Sequence, residues 1–253
     1  MDQDRLICEK FSGYAHTHAV NFHTAYLPYP LYDMHGTVNG GLTTLSRFRI
    51  NAAGRREYTV SDGFSKYFDL DRCFSFHSID IAGSDKKLYI VNSHMSAYGA
   101  DGKVRQTQIA ELKAFLDEKA SNGDYVIVGG DWNHDLLINN PDFSYDMENR
   151  PYGMTKKAPD WLSYLFGEDK RPIIEGYNVV ASDNAPSCRN NDIEYIPNET
   201  FVCTVDGFLT TQNVLVLSHS TVVTSKGNKG LDGFAYSDHD PTLMEFMLLS
   251  PTT

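Results

Sequence analysis

The most informative pattern in the chain is an apolar run that ends abruptly in polar residues. Residues 125–128 are β-branched or aromatic, which predicts a strand buried on both faces. Gly129 and Gly130 end the run, and Asp131 and Asn133 follow almost at once. Ligands of open α/β sheets bind at such strand ends. We therefore expect chemistry at Asp131 and Asn133, whose side chains point the same way from an extended backbone.

A second strand end repeats this pattern. Residues 87–94 predict a strand that is apolar from Leu88 to Val91 and turns polar before His94. Residues 101–120 carry apolar side chains at spacings of three and four, which predicts an amphipathic helix that the Asn-Gly pair at 122–123 ends. Strand, helix and strand form a crossover unit, so we expect His94 to lie beside Asp131.

The rest of the chain predicts shorter elements. We expect residues 13–32 to be irregular, with His16, His18 and His23 as exposed loop histidines rather than a metal site. Residues 36–41 predict a loop, and residues 136–174 a long irregular stretch that shapes substrate access and contains a short helix over 159–166. The remaining predicted strands cover 42–47, a half-buried pair within 66–81, 177–181, 200–209, 213–217 and 243–249.

Composition narrows the class of protein. The 253 residues are 41% hydrophobic and 22% charged, which is typical of a globular chain and favours one domain over residues 1–253. We expect a soluble protein of unknown compartment, because no apolar run is long enough to cross a bilayer and no signal peptide is visible. The net charge of −11 argues against tight, nonspecific binding of nucleic acid.

The cysteines do not predict a zinc site. Cys8, Cys73, Cys188 and Cys203 include no Cys-x-x-Cys pair. A disulfide between Cys188 and Cys203 stays open, and it requires an oxidising compartment.

Several motifs resemble one known superfamily. Gly130-Asp131-Trp132-Asn133 resembles the Gly-Asp-Phe-Asn motif of the metal-dependent endonuclease/exonuclease/phosphatase superfamily. Matching segments are the Gly-Gly-Leu-x-x-Leu-Ser-Arg stretch at 40–47, the strand end at 92–97, the Asp-Gly-Phe-Leu stretch at 206–209 and the Ser-Asp-His motif at 237–239. The resemblance covers residues 36–249. It implies an α/β fold, a four-layer α/β/β/α sandwich of two mixed β-sheets of the DNase I type, with bacterial sphingomyelinase-like members as the nearest group.

The resemblance also implies roles for particular residues. Asp131 orients or deprotonates the attacking water, and Asn133 steadies that water and a phosphate oxygen. His239, held by Asp206, contacts the phosphate, and His94 stabilises charge or assists the leaving group. Mg²⁺, with Mn²⁺ as a substitute, is the implied cofactor, held by Asp131, Asn133 and Asp238.

Three further residues are weaker candidates for substrate contacts. Arg72 lies among apolar residues and predicts either a structural ion pair or a phosphate contact. Tyr98 and Arg105 follow the His94 strand, and Arg105 belongs to an Arg-x-x-Gln pair with Gln108 that resembles the start of the family's helix.

One departure from the family pattern affects the metal site. The family has an early strand carrying Asn and a segment whose Glu is the main metal ligand, and neither motif precedes Gly36. We therefore expect the first strand or strands and a helix of the fold to be missing from this chain.

The predicted function is Mg²⁺-dependent hydrolysis of a phosphodiester or phosphomonoester by attack of water. The substrate is a phospholipid head group, a small phosphodiester or a nucleic acid, and the protein is a monomer without a stable protein partner. The alternatives are a nuclease acting on DNA or RNA, and a phosphate-binding module that is catalytically impaired because the Glu is absent.

Overall fold

The computed structural model of the chain contains one mixed six-stranded sheet. It describes residues 2–27, 34, 36–60, 71–97, 103–137, 174–190, 194–196, 199–224 and 233–250. The elements in chain order are α1 (Gln3–Lys10), β1 (Ala15–Leu27), β2 (Gly36–Ser46), β3 (Ala52–Glu57), β4 (Cys73–Asp80), β5 (Lys87–His94), α2 (Lys103–Ser121), β6 (Tyr125–Asp131), β7 (Tyr177–Val180), β8 (Cys188–Arg189), β9 (Val202–Cys203), β10 (Asp206–Thr211), β11 (Val214–Thr221) and β12 (Thr242–Leu248).

The sheet has the strand order β3-β4-β5-β6-β10-β7. Strands β5 and β6 are parallel and are joined by α2, whereas the other neighbours in the sheet are antiparallel. This is the predicted crossover unit. Gly123 adopts a φ of +78° after α2, so the predicted glycine ends this helix.

The two faces of the sheet pack against different partners. Because side chains alternate along a strand, Val126 and Val128 face α2, where Ile109, Leu112 and Leu116 complete the larger core cluster. Tyr125 and Ile127 face the opposite side, where Val214, Met244 and Leu248 of the β11–β12 pair cover them. Apolar packing on both faces explains why β6 reads as a continuous apolar run.

A second antiparallel pair, β1–β2, covers the same face as β11–β12. The Asn92 side chain donates to the Thr43 carbonyl at 3.4 Å, and the His77 ring lies 2.6 Å from the Thr17 hydroxyl. Helix, sheet and hairpins thus form stacked layers, and the predicted α/β layered class is confirmed. Within the described residues the second β-layer consists of two separate strand pairs.

Several predicted boundaries are wrong. Residues 15–27 form strand β1 instead of irregular chain, and β2 begins at Gly36, where a loop was predicted. The three histidines of this region are exposed, but on a strand. The predicted strand over 200–209 is two elements, β9 and β10, interrupted at Thr204 and Val205. Most of the predicted 136–174 segment, its short helix and residues 66–70 lie outside the described residues.

Strand β1 contains a bulge at Asn21. Val20 pairs with Gly41 and Phe22 pairs with Gly40, so Asn21 is an extra residue in the ladder. A bulge redirects the side chain of its extra residue. The Asn21 side chain is buried against β4, where its oxygen accepts the backbone N–H of Cys73 at 2.9 Å.

The end of β6 tolerates no side chain at Gly130. A Cβ atom built there would lie 1.8 Å from the carbonyl oxygen of Ser93 on β5. At Gly129 it would only meet the Phe208 ring at 3.2 Å. Close pairing of β5 with β6 therefore requires a glycine at position 130.

We expect Gly130→Ala to lower the free energy of unfolding by about 3 kcal/mol or more, because the added methyl group must displace backbone atoms. Urea unfolding measures the change. Gly129→Ala is the matched control on the same strand, and its cost should be smaller because only a side-chain ring must shift. Equal costs for the two variants would contradict this account.

Candidate functional site

Polar side chains form a row across one end of the six-stranded sheet. His94 ends β5, Asp131 ends β6 and Asp206 begins β10. The strand register places Asp131 directly opposite both His94 and Asp206. Directly paired residues present their side chains on the same face. Three of the predicted residues are therefore neighbours because of the sheet pairing alone.

His94 is held from three sides. Its Nε2 atom lies 3.3 Å from Asp131 Oδ2, and Asn21 Nδ2 lies 3.2 Å from its Nδ1. Because an amide nitrogen can only donate, the Asn21 contact favours the tautomer with an unprotonated Nδ1 and with Nε2–H toward Asp131. Arg72 Nη1 lies 3.0 and 3.2 Å from the two ring nitrogens, so this buried arginine, a weak candidate from the sequence, lies at the row.

The electrostatics keep His94 neutral. Burial lowers the pKa of His94 to about 4, with Arg72 and His239 acting in the same direction against the attraction of Asp131. An uncharged imidazole can donate a hydrogen bond from one ring nitrogen and accept one at the other.

Asn133 reaches Asp131 through a tight turn. The backbone of Asn133 is left-handed, with a φ of 48°, so the extended geometry predicted from the sequence is wrong. The two side chains nevertheless meet. Asp131 accepts the Asn133 backbone N–H at 2.8 Å and its Nδ2–H at 3.2 Å, and Nδ2 also donates to the Met95 carbonyl at 2.9 Å.

His239 completes the row beyond Asp206. Its Nδ1 lies 2.7 Å from Asp206 Oδ2, the contact predicted from the Asp–His motif. The Ser187 hydroxyl donates to the same carboxylate oxygen at 2.8 Å and accepts the backbone N–H of Asp206. His239 Nε2 lies 3.5 Å from Cys188 Sγ.

The pKa values of the two imidazoles, His94 and His239, shift in opposite directions. Burial lowers the pKa of His239, but the hydrogen bond and charge of Asp206, together with Cys188, outweigh burial and raise it to about 12. Burial and repulsion from Asp206 raise the pKa of Asp131. The row thus combines a neutral His94, a cationic His239 and two carboxylates in mutual repulsion. The side chains of His94 and His239 stay 30% and 33% exposed, so both are open to solvent.

Arg105 does not face a substrate. It is fully buried, and its Nη1 donates to the carbonyl oxygens of Ser96 and Ala97 at 3.4 and 3.1 Å. Gln108 accepts the Ser96 N–H at 3.0 Å and donates to its hydroxyl at 2.8 Å. Both residues therefore hold the segment that follows His94, which corrects the predicted substrate role of Arg105. Tyr98 lies outside the described residues.

Two of the three predicted metal ligands are in contact with each other. Asp131 and Asn133 are in contact, whereas Asp238 receives hydrogen bonds on its carboxylate from Ser237 and on its backbone carbonyl from Arg189. Within the part of the chain that the structure describes, no three His, Cys, Asp or Glu side chains are grouped so as to hold a metal ion.

The structure adds three residues that the sequence did not identify. Asn21 contacts His94 Nδ1, Ser187 holds Asp206, and Cys188 contacts His239. Asn21 lay in a segment expected to be irregular. Cys188 is the first residue of β8 and Ser187 directly precedes it, and this strand is only two residues long. Cys188 was visible from the sequence only as one half of a possible disulfide.

Sequence and structure comparisons differ in what they detect. No protein family and no curated protein matches the sequence. Many solved structures match the fold. An endonuclease/exonuclease/phosphatase family protein from Bacteroides thetaiotaomicron is 16% identical, with a TM-score of 0.58 over 97% of this chain and 79% of that one. The chain has the endonuclease/exonuclease/phosphatase fold.

Two further solved structures with this fold are a phosphatase and a protein bound to a DNA product. The mannosyl-6-phosphatase Bt3783 of B. thetaiotaomicron is 15% identical, with a TM-score of 0.59 over 97% of this chain and 81% of that one. The D. rerio protein TDP2, in complex with a single-strand DNA product, is 14% identical, with a TM-score of 0.58 over 96% and 80%. At these identities the similarity establishes the fold of this chain. No described helix is long and apolar enough to cross a membrane.

We expect Asp206→Asn to lower the pKa of His239, because the imidazolium loses its charged hydrogen-bond partner. Titration of the imidazole signals by NMR measures the shift. A raised pKa stabilises the folded protein fully below the ordinary value of 6.5, and this contribution is lost as the pH rises through the folded value. The variant should therefore lose stability mainly at acidic and neutral pH.

Asp238→Asn is the matched control, since it removes the same charge from the residue next to His239. Both ring nitrogens of His239 already contact Asp206 and Cys188, so this change should move the pKa of His239 less. A larger shift with Asp238→Asn would contradict the assigned pairing.

Proposed function

We propose that the protein hydrolyses a phosphoester by attack of water at the row of residues from Arg72 to His239. The observation that carries this proposal is the pair of His–carboxylate contacts, His94 with Asp131 and His239 with Asp206, on neighbouring strand ends. The fold shared with phosphatases and DNA-processing proteins supports the same reaction class.

The cationic side of the row suits a phosphate. His239, held protonated by Asp206, and Arg72 beside His94 carry positive charge toward the same sheet end. Charge-assisted hydrogen bonds from such groups stabilise the charge that builds on phosphate oxygens in the transition state. In this proposal His239 donates from Nε2 to a phosphate oxygen, which requires the imidazole to leave Cys188.

The other side of the row suits the attacking water. The raised pKa of Asp131 makes this carboxylate a stronger base than an ordinary aspartate, and Asn133 fixes its orientation. Neutral His94 can stabilise charge on the leaving oxygen by donating a hydrogen bond from Nε2–H, which Asp131 and Asn21 on the opposite nitrogen orient.

Mg²⁺ is the cation we propose for this site, with Mn²⁺ as a substitute. The oxygen donors of Asp131 and Asn133 are of the type that Mg²⁺ prefers, and Mg²⁺ commonly binds through one or two carboxylates plus substrate phosphate. The repulsion between Asp131 and Asp206 favours a bound cation. It would supply positive charge at the phosphate, with Asp131 and Asn133 holding it and Asp238 as a proposed third ligand.

The net charge of the protein favours some classes of substrate over others. A net charge of −11 disfavours extended contacts with a nucleic acid backbone and favours a small phosphomonoester or phosphodiester, including a phospholipid head group. Nuclease activity on DNA or RNA is the second candidate, because a protein with this fold binds a single-strand DNA product.

We expect the purified protein with Mg²⁺ to hydrolyse bis-p-nitrophenyl phosphate or p-nitrophenyl phosphate. Asp131→Ala and His239→Ala should each lower kcat/KM by about 10²-fold or more, since each removes a group that transfers a proton or stabilises charge. Lys87→Ala, at the opposite end of β5 from His94, is the control and should leave kcat/KM unchanged.

The rival functions give different results in the same set of assays. Nicking of plasmid DNA with Mg²⁺, without turnover of either small ester, would favour the nuclease. Binding of inorganic phosphate by calorimetry, without turnover of any substrate, would indicate the catalytically impaired phosphate-binding module. Turnover that survives both alanine substitutions would exclude the proposed site.

A further inference from the structure

Two cysteines outside the proposed reaction lie side by side next to His239. Strand β8 pairs with β9 on one side, where Cys188 is the register partner of Cys203. On its other side β8 makes an isolated bridge, in which Cys188 pairs with His239. Cys203, Cys188 and His239 therefore succeed one another across three adjacent strand segments, and their side chains share one face.

The backbone hydrogen bonds fix this order. The Arg189 N–H donates to the Asp238 carbonyl at 2.9 Å, and the Asp240 N–H donates to the Ser187 carbonyl at 2.8 Å. These two bonds flank the Cys188–His239 pair, which is the narrow type of antiparallel pair in which side chains approach most closely. The 3.5 Å contact between Cys188 Sγ and His239 Nε2 follows from this geometry.

The two thiols are within reach of each other. All four cysteines are free in the structure, and Cys188 and Cys203 are register partners on β8 and β9. Directly paired residues of antiparallel strands have Cα atoms about 4.5–5.5 Å apart, which is inside the range that a disulfide spans. Cys203 is buried, whereas Cys188 is partly exposed, so an oxidant meets Cys188 first.

We propose that Cys188 and Cys203 form a reversible disulfide that withdraws the Cys188 thiol from His239. This modification site rests on the proposed function only for its effect on hydrolysis. The bond itself and the changed surroundings of His239 depend on the strand geometry alone.

The oxidant we propose is a small disulfide such as glutathione disulfide. The Cys188 thiolate attacks one glutathione sulfur, forms a mixed disulfide and releases one glutathione thiolate. The Cys203 thiolate then attacks the Cys188 sulfur and releases the second. Two protons and two electrons pass from the cysteines to glutathione.

At neutral pH the reduced thiols of Cys188 and Cys203 react only slowly with the oxidant. The Cys203 thiol and burial raise the pKa of Cys188, so little thiolate is present and exchange is slow. Oxidation should therefore accelerate as the pH is raised. It disconnects His239 from β8 on the side of Nε2. Because this nitrogen is then free to donate to a phosphate oxygen, we expect oxidation to speed phosphoester hydrolysis.

The experiment treats the full-length reduced protein with glutathione disulfide at alkaline pH and counts free thiols under denaturing conditions. We expect the 188–203 link to remove two of the four thiols, and glutathione bound to Cys8 to remove a third. Arg189 is the one basic residue between the two cysteines, so trypsin places them on separate peptides that stay linked unless reduced. The imidazole NMR signal of His239 should move on oxidation and return with dithiothreitol.

Two variants serve as controls. Cys203→Ser should give no linked peptide and retain glutathione on Cys188, whereas Cys8→Ser should form the 188–203 link like the parent protein. Absence of the link in the parent under conditions that modify Cys8 would overturn the proposal. A link that leaves the His239 signal unmoved would overturn it as well. Faster hydrolysis after oxidation, reversed by dithiothreitol, supports its effect on the proposed activity. Inactivity of both the reduced and the oxidised protein would refute the proposed function alone.

Discussion

The parallel pairing of β5 with β6 is the constraint on which the rest of the site depends. It places His94 opposite Asp131, and it requires a glycine at position 130 because the Ser93 carbonyl occupies the space of a side chain. The antiparallel pairing of β6 with β10 then adds Asp206 to the same row. A shift of either register by one residue would turn an acidic side chain to the other face of the sheet.

This arrangement concentrates charge that burial would otherwise make unfavourable. Two carboxylates oppose each other on adjacent strands, and each has an imidazole partner. The partners differ, because burial, together with Arg72 and His239, keeps His94 neutral, whereas Asp206 stabilises His239 as a cation. Environments that drive two like groups to different protonation states are typical of acid–base sites.

Much of this site could be predicted from the sequence, and the missed parts have physical causes. The apolar runs of β5 and β6 and the periodicity of α2 identified the crossover unit, because burial on both sides leaves a clear pattern. Strand β1 was missed since its His, Thr and Asn side chains alternate without an apolar face. The neighbours of His239 were missed because two-residue strands leave no period to detect. Arg105 was misassigned since a motif does not tell whether a guanidinium faces a cleft or the backbone behind it.

The bulge at Asn21 joins the outer hairpin to the chemistry of the sheet. One extra residue in β1 turns this amide inward, where it accepts the Cys73 backbone N–H and donates to His94. The number of residues in β1 before Asn21 therefore matters as much to the site as the identity of any side chain in the row. Deletion of a single residue there would restore a regular ladder and keep the hairpin paired. The imidazole would lose its tautomer control without any change in the motifs by which the site is recognised. Homologous chains should therefore tolerate insertions and deletions in the hairpin turn far more readily than in the first half of β1.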